Sequence, residues 1–243
     1  MAEPSTRAVE RALELLAVVS DQGETTLTEC ARRSGLATST ALRLLRTLEA
    51  TGFVRRDDAG VFRPGARLIQ LGAQALSRES LVGFAEPSMD FLAQETGEST
   101  YLSVPGLDDT ALYIAQAEGS HSIRHVSWVG HAVPMGDSAA GRALRGELPD
   151  SGYASAGSLT EPDVTAVAAP IVAPQGIVGA LSLVGPAYRM DQEQVRGFGE
   201  LLLTETAKIG VQLGRPADGE PVGGDDSGPD GGPDGAPGSA ADG

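Results

Sequence analysis

Apolar residues recur at helical spacing three times before residue 52. In RAVERALELLAVVS (7–20), Val9, Ala12, Leu13, Leu16, Ala17 and Val19 predict an amphipathic helix, ended by Asp21, Gln22 and Gly23. TLTE (26–29) has capping-box form, with Thr26 as N-cap and Glu29 three residues on. Leu27, Cys30 and Ala31 give that second helix a short apolar face, and Gly35 closes it. A third helix is predicted over 38–51, with Thr38, Ser39 and Thr40 offering N-cap side chains. Its inward residues are Ala41, Leu44, Leu45 and Leu48, which leaves Ser39, Thr40, Arg43, Arg46 and Thr47 outward or flanking. After Gly52 the period shifts to two in FVRRDDAGVFRPG, a hairpin whose tight turn is DDAG.

Helical spacing returns over 67–81, with Leu68, Leu71, Ala75 and Leu76 on one face, and over 82–96, where Pro87 is expected to perturb the helix or mark its first turns. From Glu98 onward the alternation is strand-like. Residues 99–117 read as two strands about a PGLDD turn, and 122–130 (SIRHVSWVG) as a third. A short helix follows at 138–146, then two strands about an APQG turn over 166–186. A last helix runs from Asp191, its N-cap, to about Leu213. The fold class is α+β: a winged helix-turn-helix over 1–66, a linker helix over 67–81, and an antiparallel-sheet sensor-like domain over 82–214.

Residues 215–243 carry Gly, Pro, Asp and Ala with almost nothing apolar, and are expected to be disordered. Removing their seven acidic residues moves the formal net charge from −15 to −8. The positive charge is concentrated instead: ten of the eighteen Lys and Arg residues lie at or before Arg67, and all ten are Arg. That placement suits a second helix of a helix-turn-helix entering the major groove, with Thr38, Ser39, Thr40, Arg43, Arg46 and Thr47 towards base edges or phosphates. Arg55, Arg56 and Arg63 on the wing would then meet phosphates or the minor groove. Winged-helix units also serve as protein-interaction modules, which is the alternative for this region. The single cysteine, Cys30, allows no internal disulfide and reads as a small core residue. The sequence contains neither a signal peptide nor a membrane-length apolar run, so a cytoplasmic location is expected.

Three blocks resemble the IclR family of bacterial transcription regulators: TLTECARRSGLATSTALRLLRTLEATGFVRRD, VPMGDSAAGRALRG and AAPIVAPQGIVGALSLVGP. The resemblance covers about 7–213, and the Arg-rich, Lys-poor composition suits a high-GC bacterium such as an actinomycete. It implies a GAF-like C-terminal domain binding a small effector, commonly an organic acid or aromatic catabolite. It also implies a homodimer or homotetramer on a palindromic double-stranded operator, with contacts between N-terminal helices. Effector positions implied here are Ser138, as N-cap, with Ala139, Ala140 and Gly141 at a helix start, Ser182 on a late strand, and Ala166. Trp128 with His125 reads separately, as lining the pocket or a subunit contact, with core packing the alternative for the Trp. The chain departs from the family between Leu144 and Val167, where the insert is short. Gly152 and Tyr153 remain, but ASAG replaces the usual acidic pair, and Ala166 stands where a cysteine sometimes lies.

His121, His125 and His131 fall within eleven residues, yet no other ligands cluster with them, so no metal or cofactor is expected. Nor does any nucleophile elbow, Walker loop or dinucleotide fingerprint point to catalysis. The rival to an effector-controlled regulator is a degenerate one, without a small-molecule ligand and controlled by protein contacts. The acidic tail is a candidate competitor for the Arg surface.

Overall fold

A computed structural model describes residues 6–76, 80–123, 127–157 and 163–214. The tail beyond 214 lies outside the described residues, as does His125. The first unit is a tri-helical bundle with a wing: α1 (Arg7–Gln22), α2 (Leu27–Arg33), α3 (Thr38–Ala50), β1 (Val54–Arg56) and β2 (Phe62–Pro64). Leu15 and Val19 of α1, Cys30 and Ala31 of α2, and Ala41, Leu44, Leu45 and Leu48 of α3 close one core with Val54 and Phe62. The inward set expected for α3 is the one observed.

The capping chemistry is half as expected. Thr26 Oγ1 accepts from the Glu29 amide at 3.3 Å, but the Glu29 carboxylate turns to Arg32 at 2.5 Å and to Arg33 at 3.7 Å. Helix α3 has Ala37 as N-cap, with no side-chain cap. Thr38, Ser39 and Thr40 are therefore inside its first turn, and their hydroxyls are not committed to capping. The wing gains a third partner that periodicity does not reveal. Thr25 bridges Phe62, with N–H···O distances of 2.9 and 2.8 Å in the two directions, so α2 and β2 are tied at their ends.

Helix α4 (Ala66–Leu76) follows, then α5 (Ser80–Thr96). Leu68 and Leu71 are only half-buried, Ala75 is exposed and Ile69 is 68 % exposed, so within one chain none of the described side chains of α4 is buried. Pro87 sits inside α5, and the helix continues through it. The carbonyl its ring crowds belongs to Gly83, four residues back.

The second unit is a six-stranded antiparallel sheet in the order β5-β4-β3-β8-β7-β6. Its strands are β3 (Ser99–Pro105), β4 (Thr110–Ala117), β5 (Ala132–Pro134), β6 (Ala154–Gly157), β7 (Val164–Ala173) and β8 (Gly176–Pro186). Helices α5 and α7 (Gln192–Gln212) cover one face, packing Leu92, Leu202 and Ile209 against Leu102, Ile171, Leu181 and Leu183. The other face carries α6 (Ala139–Arg145), whose alanines meet Tyr101, Tyr113, Ala168 and Ala180. Successive strand residues point to opposite faces, so β8 can feed both cores at once.

One expectation changes here, and one strand is unannounced. Of the strand predicted over 122–130, residues 124–126 lie outside the described residues and 127–130 are not a strand; the strand found nearby is Ala132–Pro134. Residues 127–130 turn back, with Gly130 at φ +86° donating to the Tyr113 carbonyl at 2.8 Å, and the His131 carbonyl accepting from Tyr113 at 3.0 Å. The alternation in SWVG thus serves a turn that packs Trp128 inward. The second surprise is β6: ASAG pairs with Thr165–Ala168 at the sheet edge although it has no apolar alternation to announce it.

Candidate nucleic-acid interface and effector cleft

Ser39, Leu42, Arg43, Arg46, Thr47 and Ala50 share one outer face of α3, as spacings of three, four and seven residues require. Ser39, Arg43, Arg46 and Thr47 are exposed, and Thr40 is half-buried beside them. Thr47 Oγ1 donates to the Arg43 carbonyl at 3.2 Å, so that hydroxyl is held by its own helix. Arg43, Arg46 and Arg55 form no ion pair among the described residues.

Wing geometry separates the three arginines assigned to it. Arg55 and Arg63 are cross-strand partners and share a face, while Arg56 pairs with Phe62 on the other. Arg63 is not available as a free cation: Glu24 takes it at 2.8 Å and Asp57 takes its other nitrogen. It braces the wing from within. The Asp57 carboxyl is held below its usual range, chiefly by the Val61 amide at 2.9 Å and then by Arg63. Arg56 lies with its guanidinium carbon 5.4 Å from the Phe62 ring centroid, exposed but partly occupied. Arg55 alone projects freely.

In the C-terminal unit, Trp128, Ser138, Ala139 and Ala166 line a single cleft, with Tyr113, Val133, Pro134, Asp137, Ala156 and Gly157. Those last six were not anticipated; the pairing of Ala166 with Ala156 becomes visible only once β6 is known. Trp128 stacks at a tilt on Tyr113, with centroids 5.5 Å apart, and on Tyr101 at 6.3 Å. Tyr101 meets Tyr113 edge-on at 5.3 Å. Burial pushes the Tyr113 phenol far above its usual range, so it stays neutral. The space left beside these rings is about 30 Å³.

Three other expected effector positions do not reach this space. Ala140 and Gly141 are buried in the α6 contact. A Cβ on Gly141 would fall 2.1 Å from the Met135 carbonyl oxygen, so glycine here permits the approach of α6 to the preceding turn. Ser182 is fully buried between Tyr101 and Ala168 in register, and its hydroxyl finds no partner among the described residues. Ser138 does cap α6 as expected, accepting from the Gly141 amide at 3.0 Å and donating to the Pro134 carbonyl at 2.8 Å.

His121 Nδ1 lies 3.4 Å from Glu98 Oε1, and Glu98 is clasped by Arg189 at 2.7 and 2.9 Å. His131 is exposed elsewhere. No group of three His, Cys, Asp or Glu side chains that could hold a metal occurs among the described residues.

The sequence matches the profile described as IclR helix-turn-helix domain over residues 8–58, and that of the bacterial transcriptional regulator IclR C-terminal over 73–151. The chain belongs to the IclR family. It is 33 % identical over 153 residues to the transcriptional repressor IclR of Escherichia coli, a match covering 60 % of this chain and 56 % of that protein. The chain thus spans little more than half of that relative. Among solved structures, an IclR regulator from Alicyclobacillus acidocaldarius superposes with a TM-score of 0.75 at 26 % identity, covering 87 % of this chain and all of the other. An IclR homologue from Microbacterium hydrocarbonoxydans, complexed with 4-hydroxybenzoate, has a TM-score of 0.70 at 23 % identity, covering 85 % and 98 %. The IclR C-terminal match stops at 151, next to Gly152 and Tyr153. Here Tyr153 packs over Gly199 of α7, where a Cβ would lie 2.4 Å from its ring, and so belongs to the opposite side of the sheet from the cleft.

Proposed function

We propose that this chain is a sequence-specific, DNA-binding transcriptional regulator of the cytoplasm whose affinity for its operator is set by a small molecule in the α6 cleft. The observation that carries this reading is the outer face of α3. It presents Arg43 and Arg46 unpaired, beside Ser39 and Thr47, in a chain of net charge −15. Guanidinium groups so placed suit bidentate bonds to guanine edges, and Arg55 on the wing suits a phosphate. Arg56 adds a partial contact, and Arg63 serves by holding the wing rigid. Thr38 and Thr40 flank the start of the helix.

Self-association follows from what the single chain leaves uncovered. Val9 and Leu13 on α1 are 55 % and 59 % exposed, and Ile69 on α4 is exposed as well. A homodimer joined through these helices, or a tetramer of two such dimers, would read a palindrome with half-sites about 34–36 Å apart. The effector reading rests on Trp128, Ser138, Ala139 and Ala166 sharing one cleft, with the 4-hydroxybenzoate complex of the Microbacterium homologue suggesting a small aromatic compound. We assign the chain no catalytic step, cofactor or membrane partner. No helix among the described residues is long and apolar enough to cross a membrane.

A second reading, a regulator without a ligand that answers to protein contacts, is favoured by one observation: the cleft retains only about 30 Å³. A gel-shift titration on DNA upstream of the protein's own gene, with and without candidate ligands, separates the two. A specific shift relieved or strengthened by a ligand supports the first reading. A specific shift indifferent to every ligand supports the second, and no sequence-specific shift at moderate salt contradicts both.

A further inference from the structure

Resting on the reading of the α6 cleft as the effector site, we infer that its ligand is an uncharged or cationic aromatic compound that takes the place of the Trp128 indole. Space decides the first part. About 30 Å³ admits a water or two but not a six-membered ring beside the indole. The protein's own ring already sits on Tyr113 at 5.5 Å and on Tyr101 at 6.3 Å, in the arrangement an aromatic ligand would adopt. Trp128 is half-buried and lies on the turn that ends at Gly130, so it is a wall element with solvent on one side.

Charge decides the second part. Among the described residues, ten line the cleft; none of these is Lys, Arg or His, and the one ionisable group among them besides the neutral Tyr113 is the Asp137 carboxylate. Asp137 is exposed and forms no ion pair among the described residues. The Ser138 hydroxyl is already committed in both directions, to Gly141 and Pro134. A ligand carboxylate would meet a like charge with no cation among the described lining residues to offset it, whereas an ammonium, phenol or alcohol could donate to Asp137.

The chain has one tryptophan, so its fluorescence reports on this cleft alone. The full-length protein is titrated with 4-hydroxybenzylamine, 4-hydroxybenzyl alcohol and 4-hydroxybenzoate, one ring bearing three charges. The expected order is amine, then alcohol, then carboxylate, with the amine at least about tenfold tighter than the carboxylate at low salt and the gap narrowing as salt rises. Emission should shift to the red as the indole leaves its apolar setting, and Asp137→Asn should level amine and alcohol. Equal or tighter binding of the carboxylate would overturn the ligand class while leaving the cleft as effector site. Binding without a red shift would overturn the displacement of Trp128. If none of the three alters emission or thermal midpoint, the inference and the effector assignment both fall, while operator binding is judged separately by the gel shift. Trp128→Phe, followed by thermal midpoint, is the second variant: it should bind the amine more tightly than wild type, and unchanged or weaker binding counts against displacement.

Discussion

Arg63 Nη2 lies 2.8 Å from Glu24 Oε2, across 39 positions of sequence, and ties the wing to the turn between α1 and α2. With Asp57 on its other nitrogen, Arg63 has its charge answered inside the protein. The wing therefore presents Arg55 as its free cation and uses Arg63 to hold that presentation. A division of labour among the arginines follows from this one relationship.

If Arg63 is a brace, Arg63→Ala should lower the thermal midpoint and weaken binding to specific and non-specific DNA in the same proportion. Glu24→Gln should do the same in milder form although Glu24 would touch no DNA. Parallel gel shifts and melting curves check this. A loss confined to one base position in Arg63→Ala would assign it to readout instead.

The Asp57 carboxyl titrates below its ordinary value of 3.8 because the Val61 amide, and then Arg63, favour its charged form. A carboxyl whose folded pKa is depressed adds stability above the ordinary value and loses it as pH falls through the lowered one. Asp57→Asn should therefore flatten the acid side of the stability profile below about pH 4 and leave its slope at neutral pH unchanged. Denaturation midpoints across pH 3 to 7 would show it, and an unchanged acid limb would refute it.

Gly141→Ala should be severe. Its Cβ would lie 2.1 Å from a backbone carbonyl oxygen that cannot rotate away, so a cost at or above the usual overpacking range of about 1–3 kcal/mol is expected. Ser138→Ala, which removes the α6 cap and the bond to the Pro134 carbonyl but adds no clash, should cost about 1 kcal/mol. Chemical denaturation of the two variants should rank them in that order, and the reverse order would mean that α6 is seated differently.

Ser182→Ala should be neutral or stabilising by about 1 kcal/mol, because a buried hydroxyl without a partner is replaced by an apolar group. A clear loss of stability, or a loss of ligand affinity with stability intact, would show that the hydroxyl has a partner in solution.

Much of the DNA-binding unit, and the helix starts of the second unit, are legible in sequence because their signals are local. Ala41, Leu44, Leu45 and Leu48 repeat with the helix, Asp57 and Gly60 shape the wing turn, and Ser138 and Asp191 cap helices three residues away. What the sequence conceals depends on distant partners. The commitment of Arg63 to Glu24 carries no periodic mark. Strand β6 is built of Ala, Ser and Gly, which show no alternation, so the wall formed by Ala156 stays hidden until β7 is placed beside it. The alternation of SIRHVSWVG misleads because Trp128 is apolar for the sake of the cleft, not of a strand. Gly141 and Ser182 lie near the cleft in sequence pattern but are spent on packing, a distinction that only burial makes.

In the proposed function α3 reads the operator and Arg55 anchors the wing. The most direct measurement is a gel-shift comparison of wild type, Arg43→Ala and Arg55→Ala on the operator and on scrambled DNA over a range of salt. Arg43→Ala should lose about 1–3 kcal/mol on the operator and little on scrambled DNA, whereas Arg55→Ala should weaken both alike and reduce the salt slope by about one. Equal losses on both DNAs from the two variants would contradict the assignment of α3 as the reading helix.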